Sequence, residues 1–143
     1  MAITSAICNS FKTEILTGVH NFTASTGDTF NLALYTSSAT LGASTTAYTT
    51  SNEVSGTGYT AKGNALTSVT PVADSTTAVC DFADTSFTSA SFTARGCLIF
   101  NDSATGDPAV CVIDFGSDKT VTSGTFTIQF PAADASNAIV RIA

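Results

Sequence analysis

Tryptophan is absent from this chain of 143 residues, histidine occurs once, and charged residues make up only 11%. Each scarcity removes a class of function. The five cations, Lys12, Lys62, Arg95, Lys119 and Arg141, stand singly along the sequence, whereas neutralising a phosphate backbone takes clustered lysines and arginines. Direct nucleic-acid binding is therefore not expected. No apolar run approaches the length of a membrane span, so no membrane partner is expected either. Met-Ala-Ile-Thr-Ser at the N-terminus lacks the basic flank and apolar block of a secretory signal, which points to a product made in the cytoplasm.

The four cysteines, Cys8, Cys80, Cys97 and Cys111, form no C-x-x-C pair and no zinc-like spacing with the histidine. They read as buried apolar thiols. A Cys97–Cys111 bridge requires their strands to form one hairpin, and a reducing compartment opposes it.

What is abundant is serine and threonine, roughly 30% of the residues against a globular average well below that. Hydrophobic residues reach 43% and the net charge is -6. Short, regular clusters of Val, Ile, Leu and Phe can offset the chain entropy that leaves polar sequences unfolded. The length fits one domain over 1–143, with residues 1–18 as an N-terminal arm or helix and 29–143 as a β-sandwich.

One helix is expected, over Ser5–Thr17. Ile7, Phe11 and Ile15 recur every fourth residue, Thr4 or Ser5 can cap the start, and Gly18 can take the left-handed conformation that ends it. An alternative is that residues 1–16 form an arm reaching a neighbouring subunit. Beyond the helix, short apolar runs alternate with turn residues in the manner of an antiparallel sandwich, jelly-roll or Ig-like. Seven strands are expected: Thr29–Tyr35, Asn64–Pro71, Thr76–Phe82, Ser91–Asn101, Ala109–Phe115, Gly124–Pro131 and Ala138–Ile142. Val110–Ile113 is apolar without alternation, which predicts a central strand covered on both faces. Thr125, Thr127 and Gln129 alternate with Phe126, Ile128 and Phe130, a half-buried strand whose polar side faces water or a partner. Asp114–Asp118 and the residues to Gly124 read as an extended connection turning at Gly116.

The motifs of catalysis are missing as well. There is no G-x-S-x-G. Any Ser/His or Cys/His scheme must use His20, in Gly18-Val-His-Asn-Phe22, where a turn or satisfied polar role is the commoner fate. Gly56, Gly58 and Gly63 fail the phosphate-loop patterns, because Ala61 stands at the third glycine of one and Lys62 precedes Gly63 in the other; tight turns explain them. Asp81 and Asp84 read as solvated turn acids and not as an acid–base pair. Asn101–Asp107 is rich in oxygen but lacks the spacing and terminal Glu of a calcium loop. The sequons at Asn21 and Asn101 are as many as chance supplies in so Ser/Thr-rich a chain. No catalytic residue, cofactor or metal ligand is assigned.

Several runs resemble segments of small virion structural proteins of tailed bacteriophages, of the capsid decoration or cement kind. They are the opening Ala6-Ile-Cys-Asn-Ser-Phe-Lys12, ALYTSSATL at Ala33–Leu41, EVSGTGYTA at Glu53–Ala61, Phe92-Thr-Ala-Arg-Gly96, Asp114-Phe-Gly116 and the closing Phe130–Ala143. The resemblance covers nearly the whole chain. It implies a non-enzymatic particle component on the outer surface of the virion, self-associated and bound to other virion proteins, either the major capsid protein or tail proteins. Its competitor within the particle is a tail part, an adaptor at the neck or a module of a fibre or tip. A receptor-binding module is a third reading, favoured by the loop Thr36–Asn52. Candidate contact surfaces are Met1–Ile3, that loop, and the terminal Ile139–Ile142, whose edge can accept another strand.

Overall fold

A computed structural model describes residues 2–143. Its elements are β1 (Ala6–Ile7), α1 (Asn9–Leu16), β2 (Phe30–Tyr35), β3 (Asn64–Ala65), β4 (Ser68–Asp74), β5 (Thr77–Phe82), β6 (Thr85–Asn101), β7 (Ala109–Ile128) and β8 (Val140–Ile142). The strands form two antiparallel sheets, one of five in the order β1-β7-β6-β2-β3 and one of three in the order β4-β5-β8. This is the all-β sandwich with one short helix that the spacing of apolar runs predicts.

The two sheets meet over an aromatic cluster. Phe30 on β2 stacks on Phe22, with ring centroids 4.2 Å apart and planes 5° from parallel. Phe82 on β5 closes on Phe30 at 5.9 Å from the second sheet, and Phe11 of α1 meets Phe22 edge-on at 5.9 Å. Ring pairs of this geometry add about 1 kcal/mol each to the burial of their area. Ile3, Cys8 and Phe11 belong to the same buried cluster as the sheet residues, so the N-terminal segment lies on its own chain's sandwich.

Several boundaries differ from the sequence reading. The helix starts four residues later than expected, at Asn9, with Cys8 at its N-cap and no side-chain cap. The competing partner is the edge of β7: Ala6 and Ile7 pair with Val112 and Cys111, and the Cys8 N–H donates to the Val110 carbonyl. Gly18 ends the helix at φ +76, as expected.

The expected strand Asn64–Pro71 is two strands in different sheets. β3 pairs with β2, β4 pairs with β5, and the chain crosses between layers at Leu66 and Thr67. β6 and β7 are much longer than expected, 17 and 20 residues. Residues 116–123 continue β7 and do not connect two strands; Gly116 at φ +79 and Ser123 at φ +46 are local irregularities inside it. Such bulges bend and twist a strand without reversing it, which is why the turn residues misled. Eight strands therefore replace the expected seven.

Over Ala109–Val112 β7 is covered on both faces and lies inside the sheet, between β6 and the short β1, as expected of that stretch; further along, its outer side has no neighbouring strand among the described residues. Both faces of β2 are covered: all six of its residues are buried. The loop that follows β2 folds back over its outer face.

Candidate interaction surface

The loop between β2 and β3 is held by a polar network centred on Glu53. Its carboxylate accepts the Tyr48 hydroxyl at 2.6 Å, the Tyr59 hydroxyl at 2.7 Å and the Lys62 backbone N–H at 2.8 Å. The Tyr59 hydroxyl oxygen in turn accepts the N–H of Leu34 in β2 at 2.9 Å. Tyr35 donates its hydroxyl to the Thr49 carbonyl at 2.6 Å. Burial and the neighbouring Glu53 carboxylate push the Tyr48 phenol up to about 12, and burial first, then Glu53, moves Tyr59 further the same way. Neither hydroxyl is poised to exchange protons near neutral pH.

The Lys62 ammonium lies 2.7 Å from Asp102 and 2.9 Å from Asp107, 5.7 Å from the centre of the Tyr48 ring. The two carboxylates hold it well above the ordinary lysine range. Thus the oxygen-rich turn Asn101–Asp107 already has a cation, supplied by the chain. Gly58 and Gly63 adopt φ +78 and +66 in this loop, and a Cβ at either would strike the backbone of β6 or β2. The glycines act as the sequence predicts, permitting turns and close approach.

His20 has the satisfied polar role expected of it. It is buried, with Nε2 2.7 Å from Glu14 Oε2 and Nδ1 3.1 Å from Asn101 Nδ2. Both ring nitrogens are engaged. All four cysteines are free and buried. Burial pushes Cys8 up to about 11 and Cys80 and Cys97 up to about 12, and raises Cys111 as well, so none is a ready thiolate. Cys97 and Cys111 do lie on the two strands of one hairpin, opposite Ile113 and Ile99.

Asp81 requires a correction. It was expected to be a solvated turn acid, yet it is 1% exposed. Oδ1 accepts the Phe82 N–H at 2.8 Å, while Oδ2 has no hydrogen-bond partner. Desolvation raises its carboxyl above the usual aspartate range. Asp84 accepts the Phe130 N–H at 2.7 Å. Among the described residues no group of His, Cys, Asp and Glu is arranged to hold a metal ion, and no helix is long and apolar enough to cross a membrane.

The opposite side of the sandwich is open. A hollow of about 570 Å³ lies along the second half of β7, walled by Ile113, Phe115, Phe126, Phe130 and Ile139. It shares Ile113 and Ile139 with a hollow beside β1, which shares Ile7 with another between α1 and β8. The last is walled by Phe11, Ile15, Leu16 and Ile142; Leu16 is 87% exposed and Ile142 53%. Together these make an apolar trough bounded by edge strands of both sheets. Large contiguous apolar surface marks a contact site more often than it marks nothing.

Of the three expected contact surfaces, Met1 lies outside the described residues, and Ile3 is buried, forming a bridge to Leu41. The Thr36–Asn52 loop is packed on β2. Ile139–Ile142 does border the trough, with Val140 turned into the core and Ile142 outward. The wall along β7 was missed as a site, although its signal was the alternation of Phe126, Ile128 and Phe130 with polar residues.

No protein-family model matches the chain, and no curated protein or solved structure matches it.

Proposed function

We propose that the protein is a non-enzymatic structural component of a bacteriophage particle that decorates the outer surface of the capsid and reinforces it. The observation that carries this reading is the apolar trough between two sheet edges, a surface suited to adhesion. The groups that chemistry would need, His20, Glu53, Lys62 and the cysteines, serve the fold instead. The resemblance of Ala33–Leu41, Glu53–Ala61 and Phe130–Ala143 to virion proteins supports the setting.

A protein that binds the assembled shell and not its free subunits stabilises the shell by mass action. Contact with two or more shell subunits, or self-association into a symmetric oligomer, raises the effective concentration further. Stripping the protein from purified virions should lower the temperature at which they release DNA, and adding it back should restore it. Unchanged heat tolerance would refute the role. A tail adaptor or fibre module is the second reading, favoured by the same trough; densitometry of virion proteins separates the two, with hundreds of copies for a shell protein and at most several dozen for a tail part.

A further inference from the structure

Three features of the trough point to the kind of chain that fills it. First, its long wall is an unpaired edge. The outer side of β7 pairs with β1 at Cys111 and Val112, and the Asp114 N–H donates to Ser5 Oγ at 2.8 Å. From Phe115 to Ile128 no strand lies outside β7 among the described residues. β8, which borders the trough on the other sheet, is likewise an edge strand.

Second, the floor is apolar and the edge runs for several residues at roughly 3.3 Å each, the shape of a strand-sized slot. Third, its charge is of one sign. Lys119, Lys12 and Arg141 line the trough, and no Asp or Glu side chain does, in a chain with 11 acidic residues and five basic ones. Of the nearest carboxylates in sequence, Asp114 and Asp118 are turned to Arg95 and Glu14 to His20, while Asp134 caps the Ser136 and Asn137 N–H groups and is near enough to Arg141 to feel its charge. Lys12 donates to the neutral Asn9 side chain at 3.4 Å, and Arg141 to the carbonyls of Ala135 and Ser136.

We propose that the trough accepts an extended segment of a partner protein, apolar side chains alternating with carboxylates, added as a strand along the bare edge of β7. The alternation follows from strand geometry: every second side chain enters the apolar floor while the others reach the basic rim. Backbone hydrogen bonds to the edge supply sequence-independent affinity, and the rim selects charge. This deepens the reading of the protein as an adhesive unit of a particle and rests on it for the identity of the partner.

The test uses the full chain and a blocked nine-residue peptide of alternating valine and glutamate, with a valine/lysine peptide and a serine/glutamate peptide as controls. Titration calorimetry at low salt should show the valine/glutamate peptide binding at least tenfold more tightly than either control. The exposed double variant Lys12→Glu with Lys119→Glu should keep its melting temperature and reverse the charge preference. Equal binding of all three peptides, no binding, or a variant with unaltered preference would overturn the proposal. So would sedimentation showing that a second copy of this chain fills the trough. If the peptides fail while the protein still coats particles, the trough assignment falls and the structural role stands; if the peptides bind and the protein is missing from particles, the reverse holds.

Discussion

The two long sides of this sandwich are finished in different ways. On the β2 side, a loop of some thirty residues closes over the sheet and converts an outer face into a buried one. Glu53, Tyr48, Tyr59 and Lys62 tie it down, and every charge there has a partner within the chain. On the β7 side, two sheet edges and an apolar floor are left without cover. The chain thus uses its own polar groups where it needs a fixed surface and leaves apolar surface where another chain can complete it.

If that division is right, substitutions on the closed side change stability and those on the open side change binding. The largest effect is expected at Gly63, whose φ is +66 and whose added Cβ would run into the Leu32 carbonyl oxygen. Gly63→Ala should cost about 3 kcal/mol or more, read as a drop in the denaturant midpoint. Tyr59→Phe comes next. It leaves the buried Leu34 N–H without its acceptor and should cost about 2 kcal/mol, with hydrogen exchange rising in β2.

Asp81 gives a smaller effect with a pH signature. Its carboxyl is raised in the fold, chiefly by burial, so the unfolded chain ionises first as pH rises. The folded state therefore loses stability on going up from the ordinary aspartate range to the raised value, and the loss persists above it. Asp81→Asn removes that slope. The variant should gain on the order of 1 kcal/mol at pH 7 and gain little at pH 3, measured by denaturation at both. The smallest effect on stability belongs to the open side: Leu16→Ser, at a residue 87% exposed, should change it by less than about 0.5 kcal/mol while lowering the binding of an apolar fluorescent dye.

The same contrast explains what the sequence discloses. Apolar runs bounded by turn residues found β2, β5 and β8, and alternation found the Phe126–Phe130 face, because these are local patterns a strand carries in its own residues. It could not separate β3 from β4, since Asn64–Pro71 reads as one extended run and the change of sheet at Leu66 is made by tertiary contacts. Gly116 and Asp118 resemble a turn, but the pairing of Ala94 with Lys119 and Gly96 with Asp114 carries the ladder past them. Asp81 resembled a surface acid because the segment that buries it, which leads into β8, lies some fifty residues further along the chain. For the candidate site, the polar anchors Tyr48, Glu53 and Lys62 were visible as residues but not as a cluster. The trough was not visible: the alternation at Thr125–Phe130 placed the polar side outward and the apolar side in the core, whereas Phe126, Ile128 and Phe130 are half-buried and wall the open hollow.

Hydrogen–deuterium exchange on the protein alone and mixed with the phage particle proposed as its partner tests the division most directly. New protection is expected along Ile113–Pro131 and Ile139–Ile142, with Thr36–Gly63 unchanged. Protection that gathers in Thr36–Gly63 and leaves the β7 edge exchanging as before would contradict the account.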